Sequence, residues 1–146
     1  MDSIKFRMME LKAKGFYCSQ IMMLLALENQ DKTNEDLVRS MAGLAFGVGI
    51  GSQACGALTG GACILALYAG KGTDEEDENF HLNTMLQDLG EWFLETYGGM
   101  YGGVSCDEIS EDGSLRNERC GAVVAETYAK ALEILIANGL DPEEGC

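Results

Sequence analysis

The segment CGALTGGACILALYAG, residues 55–70, decides the fold. It has no charged residue and is long enough to form a buried helix, yet it carries Gly56, Gly60 and Gly61. Each glycine costs a helix about 1 kcal/mol relative to alanine, so the three need a reason. Glycine permits close backbone approach, and the neighbouring Cys55 indicates that the approaching group contains sulfur. We therefore predict a buried helix beside a sulfur-containing site, with tight helix–helix contact as the alternative reason for the glycines.

Helical periodicity continues on both sides of this segment. The predicted helices cover residues 3–14, 17–29, 33–44, 54–69, 73–97 and 120–138, with a short turn after residue 105. No segment alternates polar and apolar residues as a strand does. We therefore expect an all-α fold of about six helices in a single compact domain that spans residues 1–146.

Several of the predicted helices begin with a recognisable signal. Thr33 is the predicted N-cap of the third helix, and Ser105 with Glu108 forms a predicted capping box. The acidic run TDEEDEN at residues 73–79 suits a helix start, because carboxylates complement the positive end of the helix dipole.

The charge balance excludes two classes of partner. The chain carries 24 acidic and 10 basic residues, a net charge of −14. Like-charge repulsion opposes binding to nucleic acid or to an anionic membrane, whereas a basic protein partner is favoured. Residues 1–15 interleave charged and apolar residues and lack the apolar core of a secretion signal. We expect a cytoplasmic protein, whose six cysteines are thiols, metal ligands or redox centres instead of structural disulfides.

Four of the six cysteines lie at predicted helix starts. They are Cys18, Cys55, Cys106 and Cys120. A helix N-terminus offers unpaired N–H groups and a partial positive charge, which stabilise a thiolate and lower its pKa. Each of these cysteines also leads an apolar stripe, so we predict that the sulfurs of at least three of the four lie in one pocket. No CxxC cassette is present, and any such site must be assembled by tertiary structure.

The order of these cysteines resembles a known family. Cys18, the segment CGALTG at residues 55–60, Cys106 and Cys120 resemble the C_GCAxxG_C_C family of redox-active proteins over residues 15–135. Ala54 stands where the family name has a glycine, so the match rests on CGAxxG. The resemblance implies a small protein with a bound redox group, often an iron–sulfur cluster. It carries over to Cys18, Cys55, Gly56, Ala57, Gly60, Cys106 and Cys120.

Three hypotheses remain open from the sequence. The first is a redox or electron-transfer protein that binds an iron–sulfur cluster through four cysteines and exchanges electrons with a partner protein. It places cofactor contacts at Cys18, Cys55, Gly56, Gly60, Cys106 and Cys120, with the four cysteines as metal ligands. The second is a metal-free thiol–disulfide enzyme or sensor in which Cys55 attacks. The third is a structural zinc module. A homodimer is one assembly that the sequence leaves open.

Other motifs are interpreted as structural. Residues 49–54, GIGSQA, match the GxGxxA pattern of dinucleotide sites, but such a site needs a strand before the glycines and we predict helices on both sides. Cys63 and Cys146 fall outside the resemblance and are interpreted as bystanders. His81, the only histidine, is interpreted as a surface residue, and the methionines as core packing.

Overall fold

The predicted all-α fold is confirmed. A computed structural model describes residues 2–144, and within them the only β-pairing is a single antiparallel bridge between Ala54 and Ser105. Seven α-helices of five residues or more lie in this described part. They are α1 (Asp2–Ala13), α2 (Cys18–Asn29), α3 (Glu35–Met41), α4 (Gly56–Ala69), α5 (Leu82–Phe93), α6 (Cys106–Ser110) and α7 (Arg116–Ala137).

Helix α4, built from the segment quoted first, lies at the centre and packs against α2, α5 and α7. Two of its glycines make these contacts close. A Cβ added at Gly60 would lie 3.1 Å from the side chain of Met22 in α2. One added at Gly61 would lie 3.1 Å from Leu89 in α5 and 3.2 Å from Thr127 in α7. Gly60 and Gly61 therefore serve helix packing, because each removes a side chain at a crossing point.

The core fills the space between these helices. Most of the methionines predicted for it lie there, but the prediction is wrong for Met9, which is exposed. Met22 and Met85 are fully buried, and Met8 and Met41 are nearly so. The thioether chain is flexible enough to fill irregular gaps between helices. No helix within residues 2–144 is both long and apolar enough to cross a membrane.

Of the three helix starts predicted from a capping or charge signal, two are wrong and one is confirmed. Helix α3 is capped by Asn34 and not by Thr33, because the Asn34 side chain accepts a hydrogen bond of 3.1 Å from the N–H of Leu37. The acidic run at residues 73–79 precedes α5 instead of opening it. Its Glu76 carboxylate accepts the N–H groups of residues 72 and 73 and closes a turn. The capping box of Ser105 and Glu108 is present.

The connection between α3 and α4 combines a 3₁₀ turn with residues in the left-handed conformation. After a 3₁₀ turn at Ala42–Leu44, the short element Ala45–Val48 contains left-handed residues. Phe46, Gly47 and Val48 have φ angles of 57°, 60° and 59°. Positive φ is rare for residues other than glycine, above all for a β-branched valine. No strand precedes the glycines of residues 49–54, which agrees with the rejection of a dinucleotide site.

Candidate functional site

A cavity of about 800 Å³ opens between α1, the start of α2 and α7. The sulfur-bearing residues Cys18, Cys55, Cys106 and Cys120 all line it, and Gly56 lines it beside them. The structure therefore brings the four predicted cysteines together from four separate segments. Gly60 does not line the cavity, since it faces α2.

Three of the four cysteines lie at a helix N-terminus, as predicted. Cys18 and Cys106 are the first residues of α2 and α6, and Cys55 is the N-cap of α4. The prediction for Cys120 is wrong, because α7 begins one turn earlier, at Arg116. Cys120 therefore reaches the cavity from the second turn of α7, where the amide groups are already engaged within the helix.

A short backbone pairing sets Cys55 beside Cys106. The N–H of Cys55 donates to the carbonyl of Val104 at 2.9 Å, and the N–H of Cys106 donates to the carbonyl of Gln53 at 3.1 Å. These bonds flank the bridge between residues 54 and 105. Sequence reasoning missed this pairing because each partner is too short, and too rich in glycine nearby, to show strand periodicity.

The structure explains why residue 56 is a glycine. A Cβ added at Gly56 would lie 2.6 Å from the Sγ of Cys18, a distance that real Cβ atoms do not reach. The absent side chain therefore makes room for a sulfur atom at the N-terminus of α4. Of the three glycines in this helix, Gly56 is the one that serves the cavity.

The left-handed turn at residues 46–48, before α4, places a backbone amide near the Cys18 sulfur. The backbone N–H groups of Phe46 and Ser19 both act to lower the pKa of Cys18, although burial outweighs them. The Phe46 ring lies edge-on to Tyr17, with centroids 4.9 Å apart, and beneath the guanidinium of Arg116, 4.6 Å from the ring centroid. Residues held in sparsely populated backbone regions cluster at functional sites, and this one directs an amide at a candidate ligand.

The pKa values of Cys18, Cys55 and Cys120 contradict the expectation of lowered values. Burial raises the pKa of Cys55 to about 12, although the N–H groups of Ala57 and Leu58 act in the opposite direction. Burial likewise raises the pKa of Cys18 and of Cys120, and negative charge on neighbouring cysteines adds to the effect. The helix N-terminus does stabilise the thiolate, but the loss of solvent around the sulfur outweighs it.

This shift predicts slow alkylation of Cys55 in metal-free protein. A raised pKa keeps the thiol neutral to higher pH, so at pH 8 the thiolate fraction is roughly a thousandfold below that of a thiol with pKa 9.0. We expect the rate with iodoacetamide to rise about tenfold per pH unit between pH 7 and 9. Mass spectrometry of the Cys55 peptide measures it, with the urea-unfolded chain as reference. Reaction at pH 7 as fast as in the unfolded chain would contradict the prediction.

The arrangement of donors bears on which group the cavity can hold. Among residues 2–144, no three His, Cys, Asp or Glu side chains form a group able to hold a single metal ion. Structural zinc needs four ligands that converge on one point at about 2.0–2.3 Å. An iron–sulfur cluster distributes its thiolate ligands over several iron atoms, so the sulfurs stay further apart around a larger body. The four thiols line one cavity, and metal binding itself stays a prediction.

The remaining cysteines and the histidine lie elsewhere or outside the described part. Cys63 is half-buried on α4 and packs against the small core cluster of Met23 and Leu27, away from the cavity. Cys146 lies outside the described residues. His81 is exposed at the start of α5, in agreement with its interpretation as a surface residue.

The chain matches a known protein family over most of its length. A family sequence model with the description "Putative redox-active protein (C_GCAxxG_C_C)" matches residues 16–134, which is more than half of the chain. All four cavity cysteines and Gly56 fall within the matched residues. No curated protein and no solved structure matches the chain significantly.

Proposed function

The chain belongs to the C_GCAxxG_C_C family, and from this premise we propose that it is an electron-transfer protein that holds an iron–sulfur cluster on Cys18, Cys55, Cys106 and Cys120. The observation that carries the proposal is the convergence of four thiols on one cavity. Four thiolates are the usual protein ligands of such a cluster. When bound, the cluster would supply reversible one-electron transfer.

The chain's own residues would hold the group and adjust its environment. Gly56 leaves space for the Cys18 sulfur, which a larger residue would displace. Backbone N–H groups favour the thiolate form of two of the candidate ligands: those of Ser19 and Phe46 act on Cys18, and those of Ala57 and Leu58 act on Cys55. Hydrogen bonds to ligand sulfurs are one way in which a protein sets a cluster's reduction potential.

Burial differs between the four cysteines and gives the site a closed and an open side. Cys55 and Cys106 are buried, with 7% and 8% of their surface exposed, whereas Cys18 and Cys120 are partly exposed. The closed side would keep water and oxygen from the sulfurs. We infer that a redox partner protein approaches from the side of Cys18 and Cys120, since electron transfer needs a short path to the surface.

We also propose that the protein works in a reducing compartment, the cytoplasm. The five cysteines within the described residues are all free thiols, which is typical of proteins kept in the cytoplasm. The net charge of −14 supports our expectation that the chain binds neither nucleic acid nor an anionic membrane. Whether two copies form a homodimer is a further question that sedimentation can answer.

The two alternatives have less support. A thiol–disulfide enzyme needs an attacking thiolate near neutral pH, and the pKa of Cys55 near 12 works against that role. A structural zinc site needs a compact tetrahedral donor set, and residues 2–144 contain no group of that kind.

Anaerobic purification tests the proposal directly. We expect a brown protein that contains iron and acid-labile sulfide and whose visible absorption bleaches on addition of dithionite. The amounts of iron, sulfide and zinc per chain are the measurements. A colourless protein without iron would overturn the proposal: one tightly held zinc would favour the structural module, and no metal at all would favour thiol–disulfide chemistry.

A further inference from the structure

A second wall of the cavity contains none of the cysteines. Helix α1 presents Lys5, Met8, Met9 and Lys12 to it, residues whose spacing places them on one helix face. The start of α7 adds Arg116 and Asn117. Cavities that bind small organic molecules measure about 300–1,000 Å³, and this one is about 800 Å³. The space between the two walls is therefore large enough for an organic ligand beside the sulfurs.

The charge of this wall opposes that of the chain. The sequence has 24 acidic and only 10 basic residues, yet no Asp or Glu of the described residues lines the cavity. Three basic residues do: Lys5, Lys12 and Arg116. A cationic wall in an acidic protein concentrates anions at that one place, because the surrounding surface repels them.

These cations lack anionic partners within residues 2–144. None of the ion pairs there includes Lys5, Lys12 or Arg116. The Lys12 ammonium donates to the neutral side-chain oxygen of Asn117 at 3.3 Å, which brings it to the turn that carries Arg116. The two charges therefore lie at the same end of the cavity.

Arg116 is the strongest sign of a missing ligand. Its Nε is buried and has no hydrogen-bond partner among the described residues. Its guanidinium is held over the Phe46 ring at 4.6 Å, so its position is fixed. A buried donor left without a partner is unfavourable, above all when it is charged. The Arg116 guanidinium also lines the cavity, where an anion would neutralise its charge.

We propose that this wall binds an organic carboxylate with an apolar body. The carboxylate would accept hydrogen bonds from Arg116 and Lys12, and the body would lie against Met8, Met9 and Phe46, which also line the cavity. Arginine forms paired hydrogen bonds with carboxylates, and methionine adapts to ligands of varied shape. This inference goes beyond the proposed function and does not depend on the cluster.

Calorimetric titration of the anaerobically purified protein tests the inference. The probes are sodium octanoate and 1-octanol, which share an apolar chain and differ in charge. We expect octanoate to bind more tightly than octanol, and Arg116→Gln to weaken octanoate binding by at least about tenfold while octanol binding stays unchanged. Lys12→Gln should give a smaller loss in the same direction.

Arg119→Gln is the matched control. Arg119 lies on the same helix and also stacks on an aromatic ring, that of Tyr101 at 4.6 Å, but it pairs with Glu111 and does not line the cavity. This variant should bind octanoate like the wild-type chain. Circular dichroism checks that each variant is folded.

Three results would overturn the inference: equal binding of octanol and octanoate, no effect of Arg116→Gln, or an equal effect of Arg119→Gln. If Arg116→Gln lowers the iron content and octanoate does not bind the wild-type chain, the arginine serves the cluster and only this inference fails. If octanoate binds as expected to a protein that contains no iron, the inference stands and the proposed function fails.

Discussion

Cys55→Ser protein, purified anaerobically, is expected to contain at least about tenfold less iron and acid-labile sulfide than the wild-type chain. A serine oxygen is a harder and poorer ligand for these irons than a thiolate. The fold should survive, because residue 55 is the N-cap of α4 and its thiol makes no capping hydrogen bond. Serine is a favoured N-cap residue, so the free energy of unfolding of the metal-free chain should be equal or higher by up to about 1 kcal/mol.

Cys63→Ser is the matched control for this experiment. Cys63 lies on the same helix and is half-buried, but it does not line the cavity. Its replacement should leave the iron and sulfide content unchanged. Elemental analysis and urea unfolding of both variants provide the measurements. Full iron content in Cys55→Ser protein, or an equal loss in Cys63→Ser protein, would contradict the assignment of Cys55 as a ligand.

Gly56→Ala is expected to lower the iron content by a similar factor of about ten without loss of helix. The added Cβ would lie 2.6 Å from the Cys18 sulfur, which must then move. Alanine is the better helix former by up to about 1 kcal/mol, so α4 itself should not weaken. Iron content, acid-labile sulfide and far-ultraviolet circular dichroism together separate loss of the site from loss of the helix.

Two further glycines make this test specific. Gly90 lies inside α5, and nothing lies within 4 Å of a Cβ added there. Gly90→Ala should keep the full iron content and raise stability slightly. Gly60→Ala meets only the flexible Met22 and the α2 backbone at Ser19, so it should alter stability more than iron content. If Gly56→Ala protein kept its full iron content, the close approach to sulfur would have no role in cofactor binding.

Much of the fold follows from local patterns. The apolar period of 17–29 predicts α2 to within one residue, and the helix predicted over 54–69 forms α4 from residue 56 onward. The capping box at Ser105 is equally local, since both partners lie within four residues. The glycines could be interpreted as sites of close approach, but the sequence did not distinguish Gly56, which faces a sulfur, from Gly60, which faces a helix.

The features of the fold and of the site that the sequence did not predict depend on contacts between distant segments. Nothing local shows that residues 53–55 pair with residues 104–106. The start of α7 at Arg116 was missed because the polar residues before Cys120 show no apolar period. Burial also reversed the predicted direction of the pKa values of Cys18, Cys55 and Cys120, since solvent exclusion is a property of the whole fold.

The backbone pairing of residues 54 and 105 has a consequence for biosynthesis. On the ribosome, Cys18 and Cys55 emerge before α4 and α5. Residues 104–106, which pair with residues 53–55 and include Cys106, follow only after α4 and α5 have been made. Cys120 comes later still and needs α7 to pack before its side chain faces the cavity. A nascent chain therefore cannot present the complete set of sulfurs, and no excised peptide can imitate it. Any cluster must be delivered to the finished protein, through whichever side of the cavity then remains open.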